Sequence, residues 1–360
     1  MTKKEKIGTY QMFCVMLLCR MTALFTFMLP TTAFLQSGDR ILSVIPLFFI
    51  ELFYAFLTVF TLKSNGGQSV ITAAKEISGL SGRLTAVYYI LFFIWFAGIS
   101  VSRFELFIST AVFPNSELYL MTVILIAASL YAALKGPEAT SRAAVIITAV
   151  LLASIIFIIL TVAGEFRFYN LKPLLLNGVM PVAGFAFYVS SRTVEFAALQ
   201  INAPLIEGNI RKMAVIWTLS VSIISAVIVL VLAGVTGEYG DDQIFPLYTL
   251  TVIARFGIFE RLDDILTGLW VLCSFIQLAF LIHTASLCAS QGFNKAKKLP
   301  VCILSSLGVF IVYLFTSKTV TQYSEMISSR LQDLAYITAV LLIPLSVTAI
   351  LRLKRRKRKL

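Results

Sequence analysis

AAVIITAVLLASIIFIILTVA, residues 143–163, contains no charged side chain. MAVIWTLSVSIISAVIVLVLAGV at 213–235 repeats the pattern. Roughly 20 apolar residues cross about 30 Å of hydrocarbon as a helix, so each stretch reads as a membrane span. Working outward, similar runs place spans near 9–34, 41–62, 84–109, 117–134, 142–164, 177–203, 211–236, 264–289, 299–316 and 333–352. None alternates polar and apolar residues as barrel strands do, and a lipid-exposed backbone must bond within its own helix. Composition agrees. The 360 residues are 59% hydrophobic and 13% charged, against about 45–50% and about 25% in soluble domains. The expected fold is an all-α polytopic membrane protein forming one integral membrane domain over 1–360.

Twenty of the 30 lysines and arginines fall in segments on the side of the N-terminus, and seven on the other. This bias places both termini in the cytoplasm by the positive-inside rule. The net charge of +12 therefore reports topology, and nucleic acid is not an expected partner. The basic tail at 353–360 reads as a topology anchor that can also meet anionic lipid. Residues 66–82 read as a short amphipathic cytoplasmic helix. Residues 237–263 are too polar to span, and their acidic group (Glu238, Asp241, Asp242, Glu260, Asp263, with Asp264 beside it) would draw cationic solutes toward an outer vestibule.

Three arginines lie within spans. Arg20 sits mid-way along the first, Arg103 in the outer half of the third beside Glu105, and Arg192 in the sixth, three residues before Glu195. Glu51 lies at matching depth in the second. A charge at a helix centre costs at least about 2.5–3.5 kcal/mol unless paired or hydrated. Matched depth pairs Arg20 with Glu51 and Arg192 with Glu195.

Two spans carry signs of interruption. The first reads CVMLLCRMTALFTFMLP over 14–30, with a polar centre and a late Pro30. The sixth reads NGVMPVAGFAFYVSSRTVEF over 177–196, with Pro181, Gly184 and Ser190-Ser191-Arg192. Proline removes a backbone donor and glycine loosens the helix. The two are first in successive sets of five spans, so the sets run in opposite directions. Discontinuous helices at matching places of inverted repeats mark a midplane solute site. The halves are 1–164 and 177–352, with helices 1 and 6 broken.

SRFELF at 102–107, KGPEATSR at 135–142, NLKPLLLNGVMPVAGFAF at 170–187, FPLYTLTVIARFGIFERLDDILTGLW at 245–270 and the terminal IPLSVTAILRLKRRKRK together resemble the endospore germination receptor B-subunit family (GerAB-like), within the amino acid–polyamine–organocation permease superfamily. The resemblance implies a leucine-transporter-like 5+5 inverted repeat in the spore inner membrane or cell membrane. It also implies A-type and C-type receptor subunits as partners, and an amino acid-like germinant between spans 1, 3, 6 and 8. Carried onto this chain, the pocket would be lined by Cys19, Arg20, Met21, Thr22 and Ala23, and by Gly184, Phe185, Tyr188, Ser190 and Ser191. Depth adds Tyr89, Phe93 or Trp95 from span 3, and Ser274 and Gln277 from span 8. This chain lacks the glycine that relatives often carry in span 1; Arg20 occupies that region, where a guanidinium engages a ligand carboxylate or closes the site.

The implied function is a germinant-sensing membrane subunit that signals germination through its partners. An active, proton- or ion-coupled amino acid or polyamine permease is the alternative. An enzyme is not expected. His283 is the sole histidine and has no carboxylate or cysteine at catalytic spacing. The five cysteines sit in apolar runs without a C-x-x-C pair, so neither a disulfide nor a metal framework is expected, and no cofactor. Trp217 and Trp270, near span ends, read as interfacial residues.

Overall fold

In the computed structural model the described residues are 6–26, 37–112, 119–241, 243–255, 262–294, 296–316 and 319–357. Helix α1 is Thr9–Thr26, α2 Ser37–Ser64, α3 Val70–Ile77, α4 Gly79–Phe107, α5 Tyr119–Lys135 and α6 Pro137–Val162. Then follow α7 Val179–Ser190, α8 Glu195–Asn202, α9 Ile210–Thr236, α10 Glu238–Asp241 and α11 Pro246–Ile253. The chain ends with α12 Asp263–Gly292, α13 Lys298–Thr316, α14 Val320–Ile327, α15 Arg330–Ile337 and α16 Ile343–Lys357. Seven helical stretches are long and apolar enough to cross a membrane, and α1 and α5 are shorter apolar helices. Leu120, Ile146, Ile156, Leu160 and Leu304 expose their side chains on the outside of the bundle. A soluble protein would not leave so many large apolar residues on helical faces. The protein is an integral membrane protein of nearly all-helical build. The exception is a two-residue parallel pairing of β1 (Ile7–Gly8) with β2 (Ile206–Glu207), flanked by a Lys6–Glu207 ion pair.

Helices α4 and α12 form the central contact, and α1 lies between α12, α6 and α9. Small residues let the helices approach, as membrane interfaces favour. A Cβ added at Gly292 would stand 2.3 Å from the Ala86 Cβ, and one at Gly98 would stand 2.4 Å from Val312. Trp217 and Trp270 are in the core, correcting the interfacial expectation. Trp217 meets the Phe196 ring edge-on at 5.4 Å and Trp270 the Phe107 ring at 3.9 Å. A position near a helix end is interfacial only when that face meets lipid; both rings face neighbouring helices.

The amphipathic segment expected at 66–82 is α3, and α4 begins five residues earlier than its expected start. Ser69 caps α3, accepting from the Thr72 N–H at 3.2 Å. Lys354 donates to the last carbonyls of α3, Glu76 at 2.8 Å and Ile77 at 2.7 Å, and Arg355 pairs with Glu76. A cation at a helix C-terminus is favourable, so the first part of the basic tail is docked on α3. Residues 358–360 lie outside the described residues.

The two expected interruptions fare differently. The run 179–202 is broken: α7 stops at Ser190, Ser191 and Arg192 form a turn, and α8 restarts at Glu195. Over the described residues 9–26, helix α1 is not broken, a correction to the expectation that its polar centre interrupts it. It runs regularly through Cys19-Arg20-Met21-Thr22-Ala23, since no glycine or proline between Gly8 and Pro30 weakens it. Pro30 lies outside the described residues. An interruption not foreseen lies at Thr338–Leu342, a π turn between α15 and α16. Such turns free backbone carbonyls. Here Tyr88 donates to Ala335 O, Tyr89 to Ala339 O, and Gln200 to Val340 O.

Candidate functional site

Arg20 is the centre of the buried charge. It is 2% exposed, and its guanidinium donates to Glu51 from α2 and, through Nε at 3.3 Å, to Glu195 from α8. Its Cζ lies 5.3 Å from the centroid of the Trp217 ring. The Arg20–Glu51 contact is the one matched depth predicts. Glu195 does not pair with Arg192, however, and this corrects the second expected pair. It turns back toward α1, and its Oε2 also accepts from the Val194 N–H at 3.0 Å. A carboxylate in the first turn of a helix is favoured by the helix dipole. The N-terminal end of the half-helix α8 is therefore occupied by the chain's own Glu195 and Arg20.

Arg192 fills the other side of the break. It pairs with Asp333 at 2.7 Å and donates to the Tyr188 carbonyl at 2.8 Å and the Ile327 carbonyl at 2.9 Å. Its guanidinium stacks on the Tyr188 ring, 3.5 Å from the centroid. Ser191 Oγ reaches Asp333 at 2.5 Å, and Ser190 Oγ donates to the Phe187 carbonyl at 2.8 Å. Carbonyls released where α7 ends thus find donors within the protein, as buried backbone must.

Two adjoining cavities meet this break. The larger, about 100 Å3, is bounded by Arg20, Ala23 and Leu24 of α1, Arg40, Ser43, Val44 and Leu47 of α2, and Arg103 of α4. Phe185, Tyr188, Arg192, Thr193 and Gln332 complete much of its wall. The smaller, about 10 Å3, lies among Cys19, Ala23, Phe96, Ile99, Ser100, Arg103, Arg192, Glu195, Gln277 and Gln332. A space of about 10–15 Å3 holds one water, so the smaller chamber has room for about one water and no more.

Of the residues expected in the pocket, Cys19, Arg20, Ala23, Phe185, Tyr188 and Gln277 border a cavity. Thr22 stands behind this wall, 2.8 Å from Gln277 Oε1. Met21, Ser190 and Ser191 are buried in packing, Ser274 is buried off the cavities, and Gly184 is exposed. Tyr89 and Phe93 are fully buried core residues stacked at 6.1 Å, and Trp95 packs against the Ile99, Tyr323 and Ile327 cluster. The α4 residues that do border a cavity lie further along the same face. Phe96, Ile99, Ser100 and Arg103 continue the Tyr89–Phe93 stripe outward at helical spacing. Of the charged residues, Glu105 is half-buried and outside both cavity walls. The sequence reading missed Asp333, Gln332, Arg40 and Trp217. Asp333 stood at the edge of an expected span, where a carboxylate draws no notice. Four arginines and no carboxylate border the larger cavity among the described residues, and of the acidic loop Asp263 bonds Tyr248 at 3.0 Å. Asp242 and Glu260 lie outside the described residues.

The fold is similar to that of Mhp1, a nucleobase-cation-symport-1 family transporter, in a closed conformation with bromovinylhydantoin bound. The TM-score is 0.70, with 98% of this chain and 94% of that chain covered at 12% identity. At such identity the likeness concerns fold alone. Spore germination protein KB of Bacillus subtilis (strain 168) is 23% identical over 289 residues, 76% of this chain and 76% of its own length. The family model described as spore germination protein (Spore_permease) matches residues 6–323. With most of its length matched and a transporter-like helical fold, this chain belongs to the spore germination protein family.

Proposed function

We propose that this chain is the membrane subunit of a spore germinant receptor, and that it senses a small nutrient at the Arg20 cluster. In this reading ten helices cross the membrane as an inverted 5+5 repeat, 1–164 and 177–352, with both termini cytoplasmic and the spore inner membrane as its location. Solute binding near α1, α4, the α7–α8 break and α12 favours one arrangement of the two halves and biases A-type and C-type partner subunits. The observation that carries the reading is the Arg20 cluster itself. One guanidinium ties α1 to α2 and to the half-helix α8, so a solute competing for any member alters the contact between the halves. A shift of a few kcal/mol is enough for such a switch.

The test is deletion of the gene. Spores lacking it should fail to germinate with one nutrient while germinating with a nutrient-independent trigger. Unchanged germination under every nutrient would end the sensor reading. The permease alternative requires concentrative uptake of a labelled solute by the purified protein in proteoliposomes.

A further inference from the structure

Four guanidiniums border the larger cavity, from Arg20, Arg40, Arg103 and Arg192. Arg20 is neutralised from behind by Glu51 and Glu195, and Arg192 by Asp333. Arg103 differs. Its Nε donates to the Tyr323 hydroxyl at 3.1 Å, and no carboxylate of the described residues lies within ion-pair distance of it. It stands on the wall shared by both cavities. Beside it on that wall is Gln332, 3% exposed, whose side chain makes no hydrogen bond and whose Oε1 is buried without a partner. The buried Tyr188 hydroxyl, on the wall of the larger cavity, also lacks a partner. A buried polar group left unmade is costly, and the Gln332 and Tyr188 side chains stand on the cavity wall with hydrogen-bonding capacity that the protein leaves unused. An amide and a phenol both donate to an anion, and a guanidinium grips a carboxylate in two-pronged fashion.

The positive end of a zwitterion finds neutral acceptors such as Gln332 Oε1, but no carboxylate on the wall of the larger cavity among the described residues. Both glutamates hold Arg20, and Asp333 holds Arg192. The carbonyls at the end of α7 are taken. Phe187 O accepts from Ser190, Tyr188 O from Arg192 and Ser191, and Val189 O from the Arg192 N–H. An ammonium would have to displace a guanidinium already seated.

We propose that this cavity binds a small organic anion through a carboxylate held by Arg103, with Gln332 and Tyr188 as further donors, and that it disfavours ligands carrying an ammonium. The proposal rests on the reading of the chain as a solute-binding subunit and names the class of solute.

L-Lactate and L-alanine share a carbon skeleton and carboxylate and differ by a hydroxyl in place of an ammonium. Full-length protein in nanodiscs would be titrated calorimetrically with both, and with acetate and malate, to millimolar concentration. Lactate should bind about tenfold or more tightly than alanine, and Arg103→Gln should weaken lactate about tenfold or more, with Arg103→Lys weakening it less. Alanine binding as well as or better than lactate overturns the proposal. So does the absence of binding by all of these acids, or lactate binding that is unchanged in Arg103→Gln. The lactate-to-alanine ratio needs no variant and decides the matter if Arg103→Gln does not fold. A deletion strain with normal germination would remove the sensor reading while leaving the binding ratio standing; a failed ratio leaves a germination defect standing.

Discussion

The Arg20 side chain of α1 reaches Glu195, 175 positions along the chain, with Nε 3.3 Å from Oε1. The charge that a substrate would bring to the end of a half-helix is supplied by the protein. The cluster of Arg20, Glu51 and Glu195 is all but sealed from solvent, and Glu51 Oε2 has no partner among the described residues. Taking one member from a buried ion pair costs about 3–5 kcal/mol, because the rest stay charged and dry. Arg20→Ala should therefore lower the thermal midpoint of the detergent-solubilised protein sharply. Arg20→Met with Glu51→Gln and Glu195→Gln, which removes all three charges, should recover at least part of the loss. A triple variant no more stable than Arg20→Ala would refute the account of the cluster as a mutually neutralised unit.

Arg192 and Asp333 make a separate prediction. The pair joins the α7–α8 break to α15, and hydrogen bonds to charged groups contribute about 1.5–3 kcal/mol. Asp333→Asn should speed amide exchange over 188–194 while leaving α1 unchanged. Glu195→Gln should not speed the amides of 188–193, since Glu195 faces Arg20 and the backbone N–H it holds is that of Val194. Exchange at 188–193 that responds to Glu195→Gln and ignores Asp333→Asn would restore the pairing that sequence depth first indicated.

The helices were legible because burial in lipid leaves a signal that needs no partner: an uncharged run of the right length. The same holds for Arg20 and Glu51, whose cost in hydrocarbon forces a meeting at one depth. The break at Ser191–Val194 was readable from Pro181, Gly184 and the serines before Arg192. What a side chain faces was not. Arg192 had Glu195 one turn away and Asp333 on a distant helix, and only the three-dimensional path of the backbone selects between them. Similarly, Tyr89 and Phe93 lie on the cavity-facing stripe of α4, but the cavities open further along it, at Phe96, Ile99, Ser100 and Arg103, and periodicity along one helix does not reveal where its neighbours leave space. The continuity of α1 over 9–26 follows from local chemistry, since no glycine or proline stands between Gly8 and Pro30. The interruption expected there rested on a polar centre and on Pro30, and polar side chains do not by themselves break a helix.

Tyr89 tests this revised depth. Its hydroxyl donates to Ala339 O in the π turn at 2.5 Å, and the side chain is fully buried. Tyr89→Phe leaves that buried carbonyl without its side-chain donor and should destabilise the protein by about 1–3 kcal/mol. It should leave the affinity for any cavity ligand within about twofold, as the ring does not border the cavity and shape is retained. A large loss of affinity with unchanged stability would return Tyr89 to the binding surface.

The contact between α4 and α12, the helices that carry Arg103 and Gln277, includes one close approach toward the far end of both helices. A Cβ at Gly292 would fall 2.3 Å from the Ala86 Cβ, well inside the van der Waals limit. Gly292→Ala should thus cost about 1–3 kcal/mol through overpacking. Ala86→Gly should cost about 1 kcal/mol, the usual loss from placing glycine within a helix. The two together exchange the methyl group across the interface, so the helices return to their native distance. The double variant should accordingly be more stable than Gly292→Ala alone, although it carries one more substitution. Simple addition of the two losses in a thermal-shift double-mutant cycle would mean that the helices do not meet at these residues.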